Sequence, residues 1–286
     1  MQILIKNPER GELSCQLCNY GNSFRKQAGL RIICNMLFRK EIMTVKGVVL
    51  SQKPFGEQDK FIDILTETGI IEIVVKGSAK VTSKSGSASQ LFAYSEFDIS
   101  DHHAKNKARI LTSVTPISIF YGLRNDVNAV ALASYFAQVI LYSALPKSGT
   151  PEILRLMLNT LHYLSEPAHD ELLLKAIFEL RIASLLGFQP DVVMCRECGN
   201  YLPENLYFSV EDGCFFCDVC RQQGILMPAG TLQAIRYIIL QDFDKIFSFR
   251  IAGHCRQPLF EFAEQFLQYH VDKKFPALEY YKQIKI

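Results

Sequence analysis

Two cysteine pairs constrain this chain more than any other feature. Cys195-Arg-Glu-Cys198 is followed, after eighteen residues, by Cys217-Asp-Val-Cys220. Knuckles at that separation bring four thiolates to one tetrahedral ion, each pair gripping from a tight turn while the stretch between them folds as a hairpin. Gly199 follows the first pair and Gly213 precedes the second, where the chain has to turn sharply. Sulfur fills all four positions, so the spacing predicts one structural zinc ion on Cys195, Cys198, Cys217 and Cys220 and leaves no place for a catalytic water. A thioredoxin-like reading of either pair is argued against by the second pair at ribbon spacing. Cys214 stands too close to Cys217 for a standard knuckle and ranks as a second-best ligand.

The chain of 286 residues has room for two or three modest domains, and an apolar share of 49% supports real cores. Net charge is only +2, so a nucleic-acid surface has to be local. Nine cysteines without an export signal read as free thiols in a reducing cytoplasm rather than a disulfide framework. The most apolar window, 127–145, is interrupted by Asn128, Ser134, Gln138 and Ser143 and is shorter than a membrane span, so it is read as a buried helix.

Residues 1–42 show no sustained helical or strand period and are expected to be an unstructured leader, with Cys15, Cys18 and Cys34 incidental. From Met43 the character changes. Met43–Ser51, Phe61–Thr66 and Ile70–Val75 read as strands, the last two joined by a turn at Glu67-Thr-Gly69. After a polar loop at 77–90, Leu91–Ile99 and Arg109–Ile117 read as two more. Five short strands with one long break fit a small closed barrel of the OB type over 43–120, although period alone also allows an SH3-like barrel. Beyond residue 120 the pattern is helical to the end: 127–145, a helix capped by Thr150 with Pro151 at its first position, Asp170–Leu186 closed by Gly187, Thr231–Gln241 and Pro258–Lys273. The expected architecture is therefore α+β and multidomain, an OB barrel followed by a helical domain over 121–286 with the zinc ribbon inserted at 193–224.

Several separated stretches, in order, resemble one family. Lys46-Gly-Val-Val-Leu opens the barrel, Val75-Lys76-Gly77 precedes a basic loop, and Phe178-Glu-Leu-Arg-Ile-Ala-Ser-Leu-Leu-Gly-Phe-Gln-Pro190 leads into Cys195-x-x-Cys198-Gly199. Together they are similar to the bacterial DNA repair and recombination proteins of the RecO family. The resemblance runs from Met43 to the end, so a functional start at Met43 is expected. It implies an N-terminal OB-fold, a helical domain with a zinc ribbon, and no catalytic residues. It also implies binding to single- and double-stranded DNA, annealing of complementary strands, help in loading recombinase onto coated DNA, and partnership with RecR and the single-strand DNA-binding protein. The expected location is the cytoplasm, at the nucleoid. Relatives often carry a Gly-Gly pair where this chain has Gly213-Cys214.

Nothing in the motifs calls for catalysis. Pro146-Lys-Ser-Gly-Thr150 lacks the upstream glycines of a phosphate loop, and His102-His103 is a doublet with only Asp101 beside it. The expected DNA contacts are cations in acid-free loops: Lys76, Lys80 and Lys84 after the third strand, and Lys105, Lys107 and Arg109 between the fourth and fifth. In an OB-fold that last connection rims the oligonucleotide face. Lys46 and Lys53 on or beside the first strand extend the track, while Phe55 and Tyr94 are open to base stacking but, as aromatics at strand spacing, are read as core. An RNA-binding OB protein and a pure interaction scaffold are the competing functional classes.

Overall fold

The computed structural model describes residues 5–6, 13–14, 41–77, 86–101, 109–143, 150–167 and 170–285. The chain divides into two units, Met1–Glu41 and Ile42–Ile286. In the first, strands β1 (Ile5–Lys6) and β2 (Leu13–Ser14) pair antiparallel. The rest of the expected leader, with Cys15, Cys18 and Cys34, lies outside the described residues.

The second unit opens with five strands, β3 (Glu41–Phe55), β4 (Asp59–Thr66), β5 (Gly69–Val75), β6 (Tyr94–Asp101) and β7 (Ile110–Ser118). They close in the order β3-β4-β5-β7-β6, with β5 and β7 parallel and the tight hairpins antiparallel. That order is the OB-fold, and it removes the SH3-like alternative. Alternation fills the barrel: Val49, Ile62, Ile64, Ile71, Ile73, Val75, Phe97 and Ile99 point inward as one cluster. Gly47 is required by close strand approach, because a Cβ there would meet the Leu65 carbonyl oxygen at 2.7 Å. The register slips at Leu50, and Val48, Leu50 and Leu65 leave the barrel interior to join the helical core. Leu91–Ala93, expected to begin β6, instead forms a turn in which Phe92 takes a left-handed φ of 64°.

After a 3-10 turn at Tyr121–Asn125 come α1 (Val127–Tyr142), α2 (Thr150–Ser165) and α3 (Glu171–Leu185). Asp126 and Asp170 cap α1 and α3 by accepting from Asn128 N and Leu173 N. Helix α2 begins at Thr150, with Pro151 and Glu152 in its first turn. The ribbon follows, built from β8 (Asn205–Ser209), β9 (Cys214–Cys217) and β10 (Ile225–Pro228) in the order β10-β8-β9. The chain ends with α4 (Ala229–Leu240), α5 (Gly253–Val271) and α6 (Pro276–Ile284).

The structure corrects the sequence reading at the C-terminus. Pro258 lies inside α5, not at its start. The hydrogen bond it cannot donate would go to the carbonyl of His254, an exposed residue of the first turn, and Leu259, Phe262, Ala263 and Phe266 bury the same helix firmly enough to keep it. Helix α6, which the sequence reading does not name, starts with Pro276 and buries Leu278 and Tyr281 on one face.

Helix α3 is the centre of this half. Its buried residues cover almost the whole circumference and include Lys175 and Glu179. The two charges pair at 2.8 Å, Lys175 also reaches Glu264 of α5 at 2.8 Å, and Tyr135 of α1 donates to Glu179 at 2.8 Å. Phe136 stacks on Phe178 at 4.1 Å beside them.

Candidate metal centre and nucleic-acid interface

The hairpin between the knuckles forms as its spacing demands. In β8–β9, Leu206 faces Cys217 and Ser209 faces Cys214. Gly199 and Gly213 take left-handed φ values of 73° and 65°, conformations that any side chain would strain. The first knuckle closes by Cys195 N donating to Asn200 O and Gly199 N to Cys195 O; the second by Cys220 N and Arg221 N donating to Cys217 O. All four expected ligands meet: the sulfur atoms of Cys195, Cys198, Cys217 and Cys220 lie within 4.8 Å of one another. Cys198 and Cys217 are 3.6 Å apart, against about 3.8 Å between sulfurs of a tetrahedral site with 2.3 Å metal–sulfur bonds.

The thiols fit a metal chemically as well. Burial pushes the Cys195 thiol up, but backbone N–H groups of Cys198, Cys217 and Glu197 outweigh it and bring it to about 6. Shared hydrogen bonds with Cys217 and Cys198 push Cys220 well up. Four sulfurs this close cannot all shed their protons without a cation, and a soft-to-borderline divalent ion is what such a set holds. Cys214 is not among the gathered thiols. Three positions before Cys217 on β9, it falls on the opposite face of the strand by the period of two, and it is buried near Asp212, Arg196, Asp191 and Arg221.

The ribbon is rooted in the helical core. Leu206, Phe208, Phe215 and Met227 are buried in the same cluster as α3 and α5, and Phe208 lies 4.4 Å from Phe262.

The basic residues on the barrel are spread out. Lys53, Phe61, Val74 and Ile110 follow one another across β3, β4, β5 and β7. Arg109 precedes Ile110 and its carbonyl accepts from Val74 N at 2.8 Å, while Lys76 lies two residues beyond Val74 and is exposed. The register therefore brings Lys53, Lys76 and Arg109 to one edge of the barrel. Lys53 is 63% exposed and its Nζ lies 3.2 Å from Asp63, which also accepts from Ser51. Lys46 sits elsewhere, over β6, 4.0 Å from Glu96, with Thr44 donating to the neighbouring Asp98. Lys80, Lys84, Lys105 and Lys107, like His102 and His103, lie outside the described residues.

Two side chains read as core behave differently. Tyr94 is half-buried against the larger cluster, but Phe55 is exposed at the end of β3, its ring 4.5 Å from Phe61 and on the same strand pair as Lys53. The signal for exposure was its place next to Pro54 and Gly56, at the hairpin rim. Lys60, which no motif singles out, donates to Ser89 O at 3.1 Å, and burial lowers its pKa.

The family model described as recombination protein O N terminal matches residues 41–120, and the one described as recombination protein O C terminal matches residues 124–279. The chain belongs to the recombination protein O family. Its curated relatives carry the name DNA repair protein RecO. That of Acetivibrio thermocellus is 25% identical over 249 residues, covering 85% of this chain and 97% of that protein. That of Alkaliphilus metalliredigens is 27% identical over 252 residues, 85% of this chain and 100% of that protein. That of Dehalococcoides mccartyi is 29% identical over 211 residues, 72% of this chain and 81% of that protein. The two RecO matches meet between residues 120 and 124, where the barrel gives way to the 3-10 turn and α1. Among the described residues no helix is long and apolar enough to cross a membrane.

Proposed function

We propose that the chain serves DNA repair and recombination as a non-catalytic mediator. It binds single- and double-stranded DNA, anneals complementary strands, and helps load recombinase onto DNA coated by single-strand binding protein, acting with that protein and with RecR in the cytoplasm at the nucleoid. The observation that carries this reading is the joint match of both halves to recombination protein O, over a barrel of OB order. The barrel edge carries Lys53, Lys76 and Arg109; in sequence, Lys76 precedes a stretch with Lys80 and Lys84 and Arg109 follows one with Lys105 and Lys107, cations suited to following a phosphate backbone. The Phe55–Phe61 pair beside Lys53 offers a face on which a base can stack. In the ribbon, Cys195, Cys198, Cys217 and Cys220 hold one zinc ion, which supplies folding energy and takes no part in a reaction. Residues 1–42 are dispensable in this reading.

The test is annealing of complementary oligonucleotides coated with single-strand binding protein, run beside matched RNA strands. Acceleration on DNA is expected. An RNA reader would instead lose affinity on removal of 2′-hydroxyls, and a scaffold would leave the annealing rate at its spontaneous value.

A further inference from the structure

Helix α4 begins directly after the ribbon's last strand and carries Arg236, which is 8% exposed. A guanidinium keeps its charge at any physiological pH, so a buried one has to find acceptors. Arg236 finds three backbone carbonyls and, among the described residues, no salt-bridge carboxylate: Nε donates to Val192 O at 2.6 Å, and Nη2 donates to Val193 O at 2.7 Å and to Tyr201 O at 2.8 Å. The Tyr201 ring lies 4.1 Å and the Phe215 ring 5.9 Å from the guanidinium carbon. Val192 and Val193 bring the chain into the first knuckle and Tyr201 takes it out. One planar group thus ties both stems of the loop that presents Cys195 and Cys198, outside the loop's own closing bond from Cys195 N to Asn200 O.

A second arginine does the same chemistry at the other end of α4. Arg181 of α3 donates through Nη1 to the carbonyls of Ile238, Ile239 and Gln241 and lies 4.2 Å from the Phe243 ring. It secures the helix to the core, away from the knuckle. The pair separates general stability from the positioning of the thiols.

We propose that Arg236 is a positioning residue for the metal centre, holding the first knuckle at the width that four-sulfur coordination needs and fastening it to the helical core. This rests on the zinc reading above. Groups that orient ligands without touching the metal typically change affinity about 10- to 100-fold.

The test uses the full zinc-loaded chain and follows zinc transfer to a chromogenic chelator, with thermal melting of each variant alongside. Arg236→Met keeps the apolar stem and removes the fork; it should weaken zinc retention by about 10- to 100-fold. Arg236→Lys, the milder change, should recover little, because one ammonium cannot span three carbonyls set by a planar group. Arg181→Met should lower the melting temperature and hold zinc as the wild type does. Wild-type retention in both Arg236 variants would overturn the proposal, as would zinc loss in Arg181→Met that matches Arg236→Met. A wild-type chain that carries no zinc would overturn the metal reading itself, a result distinct from either.

Discussion

In the ribbon, four thiols from two knuckles converge within 4.8 Å on a hairpin rooted in buried aromatic side chains. At the barrel edge, Lys53, Lys76 and Arg109 are strung along strand ends, and Lys53 already faces Asp63. The first arrangement makes a strong site from few groups, because four sulfurs gathered this closely can each bond one ion directly. The second makes a weak site from each group and a useful one only from their sum, as attraction to a polyanion requires. Loss of one member should be ruinous in the ribbon and graded on the barrel.

The sharpest break between the two is Cys217→Ser. If the proposed zinc is bound, it should abolish metal content and unfold the ribbon, since metal binding is worth on the order of 10 kcal/mol in small zinc peptides. Metal analysis and hydrogen exchange check it: β8 and β9 should lose protection well before β3–β7. Cys214→Ser, on the opposite strand face, should keep the full metal content. The reverse outcome for the two variants would exchange their roles.

The same contrast holds for ion pairs. Lys175→Met leaves Glu179, fully buried, without its cation, while Glu264 keeps Lys282, and should cost about 3–5 kcal/mol in denaturant unfolding. Lys53→Ala, at an exposed pair, should cost under about 1 kcal/mol. Equal costs would mean that the buried network is open to water.

On the barrel, Lys80→Ala with Lys84→Ala should weaken binding to every DNA sequence alike. For single strands the slope of log K against log salt should fall by about one to one and a half, since each phosphate neutralised contributes about 0.7. Lys105→Ala with Lys107→Ala should match it. Salt titration of both double variants on one oligonucleotide checks this, and unchanged slopes would move DNA to the helical domain. Lys46→Ala, with Glu96 beside it on a different face, should change the slope least.

The smallest effect concerns acid. Burial pushes the Glu264 carboxyl up, but Lys175 and Lys282 outweigh it and hold it below the usual range. A carboxylate with a depressed folded pKa contributes stability above its unfolded value of about 4.3, and that contribution is lost as pH falls through the folded value. Glu264→Gln should therefore flatten the acid limb of the stability curve below about pH 4.3 while lowering the plateau at neutral pH. A limb of unchanged steepness would assign it to other carboxylates.

Local chemistry made much of this legible in the chain itself. The knuckle spacing named the four thiols, and alternation in Phe61–Thr66 and Ile70–Val75 named two barrel strands, because ligand turns and strand faces are short-range patterns. The helices expected over 127–145 and 170–186 form as Val127–Tyr142 and Glu171–Leu185, while their caps, Asp126 and Asp170, emerge only from the structure. Other features depend on partners far along the chain. Pro258 stays helical through burial of Phe262 and Phe266, and the short α6 is held to the core by Leu278 and Tyr281. The strand pattern alone puts Phe55 in the core, whereas the register places it, exposed, at the rim. Nothing in the sequence around Arg236 singles it out; only the fold brings it to carbonyls of residues 192, 193 and 201. Spacing chose the ligands of the metal centre, while tertiary packing decided what holds them in place, because a buried charge can be satisfied only by groups that the completed fold delivers.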